Sequence, residues 1–148
     1  MIGRRRVLTL ALGAAAAAGL APLPARATPE EVQALIRGLV GEGTLRRGRV
    51  KLDLPLLVEN GNAVAMTVAV DAPVRGPDRV ESVHVFAEAN PLPNVVRFEF
   101  GPAAGKAEVS TRIRLATSQT VIAVARTADG QLWSDEVELL VTLAACLE

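Results

Sequence analysis

From Arg49 onward the chain repeats one pattern: short segments in which apolar and polar residues alternate, separated by turn formers. The segments are "RVKLDL", "AVAMTVAV", "RVESVHVFAE", "VVRFEF", "AEVSTRIRL", "QTVIAVART" and "DEVELLVTL". A period of two sends successive side chains to opposite faces of a pleated strand, so each segment can bury one face and wet the other. Between them lie Asn60-Gly61, Gly76-Pro77-Asp78, Asn90-Pro91-Leu92-Pro93, Gly101-Pro102 and Asp129-Gly130, residue types that favour tight reversals. About seven short strands punctuated in this way predict an all-β fold, an antiparallel β-sandwich. Asp129-Gly130 is the clearest hairpin turn. In "EVSTRIRL", Val109, Thr111, Ile113 and Leu115 are expected to face the core, with Ser110, Arg112 and Arg114 in water. "DEVELLVTL" breaks the alternation at Leu139, Leu140 and Val141. That strand is therefore expected to be central in the sandwich or covered on its second face by a partner. Pro55, which cannot donate within a ladder, marks an edge strand or a bend.

Ahead of the strands the period is helical. Thr28 can cap, Pro29 suits the first helical position, and Glu31 stands where the acid of a capping box belongs. Val32, Leu35, Ile36, Leu39 and Val40 then share one face, and Gly41 and Gly43 end the run. Residues 28–44 are thus expected to hold one short amphipathic helix that packs on the sandwich.

The N-terminus has a different character. Arg4, Arg5 and Arg6 precede an apolar stretch from Val7 to Leu20 and an Ala25-Arg26-Ala27 site. A basic region, a short apolar region and an A-x-A site read as a signal peptide over residues 1–27, cleaved after Ala27. Arg4-Arg5 resembles a twin-arginine signal. No later stretch is apolar enough to span a bilayer, so no membrane association is expected once the signal is removed. Cleavage takes four arginines and none of the 16 acids, leaving residues 28–148 about four charges negative. With no basic stripe, and only Phe86, Phe98, Phe100 and Trp133 as aromatics, nucleic acid is excluded as a partner class.

Few residues suggest chemistry. His84 is the only histidine, without companions for a metal site; it is expected as a sheet residue at an edge or partly buried. No nucleophile elbow, P-loop or dinucleotide fingerprint is present, and no cofactor, metal or catalytic residue is expected. Asp135, Glu136 and Glu138 read as solvated charges, and Asn60-Gly61 and Asn90-Pro91 as turn chemistry. Cys146 is the only cysteine, so no internal disulfide can form. It follows the last strand within the tail Leu143-Ala144-Ala145-Cys146-Leu147-Glu148, and tails this short are usually exposed. Position and compartment leave both a chemical use and an incidental thiol open.

Three stretches carry a resemblance: "VKLDLPLLVENGNAVAMTVAVDAP", "VHVFAEANPLPNVVRFEFGP" and "AEVSTRIRLATSQTVIAVARTADGQLWSDEVELLVTLAAC". Their order, the blocks P-x-x-x-E-N-G and A-N-P-x-P, and the C-terminal cysteine resemble SoxY, the sulfur-carrier subunit of the periplasmic thiosulfate-oxidising system. The resemblance implies an immunoglobulin-like sandwich over residues 45–142 and a carrier arm over 143–148. It implies a periplasmic location and a heterodimer with a SoxZ-like β-sandwich subunit. It also implies transient visits to a haem enzyme, a hydrolase and a sulfur dehydrogenase. Cys146 is then the substrate attachment point, loaded as an S-thiosulfonate, and the chain is a carrier rather than an enzyme.

The tail departs from the family's Gly-Gly-Cys-Gly-Gly. Ala144 and Ala145 stiffen the arm relative to glycine, and Leu147 and Glu148 widen its tip. Glu148 and the terminal carboxylate place two negative charges beside the sulfur, which disfavour the thiolate and repel anionic thiosulfate. The alternative this motivates is a divergent interaction module with the same sandwich, its cysteine used for an intermolecular disulfide or not loaded.

Overall fold

The first element follows from its cap. In the computed structural model, which describes residues 26–145, the Thr28 side chain accepts from the Glu31 amide while the Glu31 carboxylate accepts from the Thr28 amide. This reciprocal box satisfies two otherwise orphaned donors and starts α1, Pro29–Leu39. Residues 1–25 of the expected signal peptide, and Cys146, Leu147 and Glu148, lie outside the described residues.

Nine strands follow: β1 (Leu45–Arg47), β2 (Val50–Asp53), β3 (Leu57–Val58), β4 (Val64–Val70), β5 (Val80–Ala87), β6 (Asn94–Glu99), β7 (Glu108–Ile113), β8 (Gln119–Thr127) and β9 (Leu132–Val141). They form two sheets, one ordered β1-β9-β8-β5-β6 with β3 also on β9, the other β2-β4-β7. Val83, Val85, Val121 and Ala123 of the larger sheet meet Leu52, Met66, Val68 and Ile113 of the smaller in the main core. The seven expected strands are all present, with β9 starting three residues earlier than its apolar segment suggested. Two short strands add to them and correct the all-antiparallel expectation: β1 and β3 pair parallel with β9, at Leu132–Ser134 and Leu140–Val141 respectively. The bend that joins β2 to β3 contains Pro55, as expected of a residue with no amide proton.

The strands buried on both faces are β5 and β8. Their inner faces belong to the sandwich. On their outer faces Phe86, Ile122 and Val124, with Leu132 of β9, form a second core against Val32 and Ile36 of α1 and its C-cap Val40. Burying one such aliphatic side chain contributes about 1.5–3 kcal/mol, which is why an eleven-residue helix with a single apolar stripe persists here. Arg126 Nη1 donates to Val40 O at the helix C-terminus (3.4 Å), a favourable place for a cation. Thr111 and Val109 are half-buried and Ile113 buried, while Ser110, Arg112 and Arg114 are exposed, the alternation read from the sequence.

Asp135 departs from its expected solvated role. Its carboxylate accepts from the Leu52 amide (2.9 Å), tying the outer edge of β2 to β9, and it lies 3.8 Å from the Arg47 guanidinium. Glu136 pairs with Arg47 at the surface, as a solvated charge would.

Candidate functional site

β9 leads straight into the C-terminal arm, and the sandwich fastens that arm one peptide group at a time. The Thr142 amide donates to Val58 O (2.9 Å), and the Gly61 amide donates to Leu143 O (2.8 Å). The Leu115 amide donates to Gly61 O (2.9 Å), and the Ala145 amide donates to Leu115 O (3.2 Å). The Thr142 hydroxyl adds contacts to Val58 O and Glu59 O. Three segments far apart in sequence are therefore stitched together, mainly through backbone groups. Gly61 makes that possible through its missing side chain: a Cβ there would stand 2.4 Å from Leu115 O, 2.9 Å from Ala145 N and 3.2 Å from Leu143 O.

The Leu115 segment is itself held by a buried polar cluster. Asn90, 5% exposed, donates from Nδ2 to Arg114 O (2.9 Å). Its Oδ1 accepts from the Ala116 amide (2.9 Å) and from Gln119 Nε2 (3.0 Å). Gln119 Oε1 in turn accepts from the Ala89 amide (2.8 Å). Both side-chain heteroatoms of Asn90 thus have partners, and Oδ1 has two. Ser118 Oγ accepts from the Val141 amide (2.9 Å), two residues before the arm begins.

Of the expected arm residues, Leu143 and Ala145 are engaged in this stitching, Ala144 is exposed between them, and Cys146, Leu147 and Glu148 lie outside the described residues. Asn60-Gly61 and Asn90-Pro91 do lie at turns, but both also serve the arm root, which their reading as turn chemistry missed. The signal that could have found them is their place in the two blocks P-x-x-x-E-N-G and A-N-P-x-P. Gln119, a polar residue opening an apolar strand, was a further signal passed over.

Beside the root lies an apolar surface. Leu57 and Leu140 are register partners in the β3–β9 ladder, and they are 59% and 61% exposed. Leu56, whose carbonyl accepts from the Leu140 amide, and Leu143 are also exposed. On the uncovered second face of β9, Leu140 is thus the apolar residue, next to the arm, after the exposed Glu136 and Glu138.

His84, expected as a sheet residue at an edge or partly buried, lies deeper than that. It sits on the interior strand β5, 2% exposed, with no hydrogen-bond partner at Nδ1 and its ring stacked on Phe86 at a centroid distance of 6.1 Å. Burial first, and the neighbouring Arg97 second, hold its pKa below the ordinary imidazole value, with Glu99 opposing. Among the described residues no group of three or more His, Cys, Asp or Glu could hold a metal ion, and no helix is long and apolar enough to cross a membrane. What the root does is fix the backbone as far as Ala145.

Comparison with known proteins places this architecture. A family model described as sulfur oxidation protein SoxY matches residues 36–146. The sulfur carrier protein SoxY from Chlorobium limicola f thiosulfatophilum superposes with a TM-score of 0.65 at 26% identity, covering 78% of this chain and all of that one. A superoxide reductase (neelaredoxin) from Ignicoccus hospitalis gives 0.57 at 18% identity, covering 77% of this chain and 92% of that one. A superoxide reductase from Nanoarchaeum equitans gives 0.52 at 15%, covering 65% and 100%. The two reductases share the fold alone. No curated protein sequence matches.

Proposed function

This chain belongs to the SoxY family, and on that premise we propose that it is a carrier of sulfur oxidation, holding thiosulfate-derived sulfur on Cys146 while partner enzymes act on it. The observation that carries this reading is where the family match ends. Its span closes on Cys146, the residue directly after a segment stitched to the sandwich as far as Ala145. The SoxY matched from Chlorobium limicola is a sulfur carrier protein, which supports carriage rather than catalysis.

In the proposed cycle the Cys146 thiolate and thiosulfate join through an S–S bond, two electrons leaving to a haem enzyme. Water then cleaves the terminal sulfonate as sulfate in a hydrolase, leaving a persulfide whose outer sulfur a sulfur dehydrogenase oxidises. Attachment raises the local concentration of each intermediate at the next active site. The export signal read over residues 1–27 supports a periplasmic setting. The Leu56, Leu57, Leu140 and Leu143 surface supports a SoxZ-like β-sandwich partner docking beside the arm, since a cluster of exposed leucines marks an interaction site.

The tail Ala144-Ala145-Cys146-Leu147-Glu148 favours a second reading, an interaction module whose cysteine is disulfide-linked or unloaded. Protein isolated from the periplasm of cells oxidising thiosulfate separates the two. The carrier reading expects a monomeric band on a non-reducing gel, and a thiol that alkylating reagents reach only after reduction. A disulfide-linked dimer, or a thiol freely alkylated without reduction, contradicts it.

A further inference from the structure

We propose that the outer edge of β7 pairs antiparallel with the same edge of a second copy of this chain, joining two three-stranded sheets into one of six strands. The inference does not depend on what Cys146 carries.

A strand edge is a template for pairing unless it is short, kinked, proline-flanked or covered, and the other edges of this fold are managed in those ways. β1 and β3 have three and two residues. The outer edge of β2 is occupied by the Asp135 carboxylate at the Leu52 amide. β6 pairs with β5 through a register shift at Val85/Phe86 and lies between Pro93 and Pro102. β7 has none of these devices; its edge carries only charge, and in two opposite signs, Glu108 and Arg112. It pairs with β4 through six consecutive residues without a shift, contains no Pro or Gly, and ends the β2-β4-β7 sheet.

Its side chains choose the occupant. Glu108, Ser110 and Arg112 are exposed on one face in the order negative, neutral, positive. Two β7 strands paired antiparallel about Ser110 set each Glu108 opposite the other copy's Arg112, and Val109 opposite Thr111 on the second face. Opposite charges directly across a ladder are favourable. Arg112 takes part in none of the ion pairs among the described residues, whereas Glu108 has Lys106 at 2.7 Å and keeps an oxygen for a second cation. Leu92, 81% exposed, lines the cleft beside β7 with Val95, Val96 and Ile113, and a second copy would cover it.

Sedimentation equilibrium of the purified full-length protein across a wide concentration range tests this. The expected result is a monomer–dimer equilibrium that Arg112→Glu and Glu108→Arg each weaken about tenfold or more, and that the double swap largely restores. Should a single reversal fail to fold by circular dichroism, the double swap, which keeps the opposed charges, carries the test. Leu140→Asp, on the far side of the sandwich, should leave the dimer intact. A monomer at every concentration, a dimer indifferent to both single reversals, or one dissolved by Leu140→Asp overturns the proposal.

Discussion

The turns at Asn60-Gly61 and Asn90-Pro91 look alike in sequence and hold the same segment by opposite means. At Gly61 the absence of a side chain lets three backbone stretches close to hydrogen-bonding distance. At Asn90 a buried side chain with three hydrogen bonds fixes the loop that those stretches bond to. One turn depends on empty space and the other on side-chain hydrogen bonds. The difference teaches that the arm root is a property of the body of the sandwich, not of the tail. Substitutions well before Cys146 should disturb it more than changes within the tail.

The largest expected effect tests the empty space. Gly61→Ala would drive a methyl group into Leu115 O and Ala145 N, costing about 3 kcal/mol, the upper range for overpacking. Urea unfolding measures the loss, and hydrogen exchange at the Gly61, Leu115 and Ala145 amides should accelerate together. A change well under about 1 kcal/mol would mean that Gly61 is only a turn residue. Next comes the filled site: Asn90→Ala strands the Ala116 amide and Arg114 O and leaves Gln119 Nε2 only its bond to Thr117 O, with an expected cost of about 2 kcal/mol. Pairing it with Gln119→Ala should give less than the sum of the single losses, because the two side chains share one bond; strict additivity would break the network reading.

His84 sharpens the contrast, as a buried polar side chain whose Nδ1 lacks what Asn90 has. Its pKa is lowered on folding by burial and Arg97, so below the ordinary imidazole value of about 6.5 the unfolded chain binds more protons than the folded one. The stability this group supports is therefore present above that value and lost as pH falls through its folded pKa. Thermal melts of the wild type should decline over that mildly acidic window with a component that His84→Phe lacks; parallel declines would contradict it. The smallest effect belongs to Asn60, whose exposed Oδ1 accepts from the Asn62 amide (3.0 Å). Asn60→Ala should cost about 0.5 kcal/mol, the low end for one hydrogen bond, and leave amide exchange at Ala145 unchanged.

The local parts of this architecture were legible in the sequence. The Thr28 box and the stripe from Val32 to Val40 sit within one helix, and a period of two announces each of the longer strands. β1 and β3 were not legible, because strands of two or three residues exist only where the free side of β9 receives them. The place of α1 was equally hidden, although the runs "VHVFA" and "VIAVA", apolar on both faces, had room for it. The arm root escaped because its bonds join residues 61 to 143, 115 to 145 and 90 to 119, distances at which turn chemistry says nothing. Cys146 acquired a use only through the family resemblance, since its own surroundings allow either an employed or an idle thiol.

The central claim is that sulfur is carried on Cys146, and intact-mass measurement tests it most directly. The purified protein is incubated with thiosulfate, the haem enzyme and an electron acceptor, alongside Cys146→Ser. The expected result is one added thiosulfate-derived group on the wild type, removed by reductant and absent from Cys146→Ser. An unchanged wild-type mass while the same enzymes load a SoxY bearing the glycine tail, or an adduct that survives in Cys146→Ser, would contradict it.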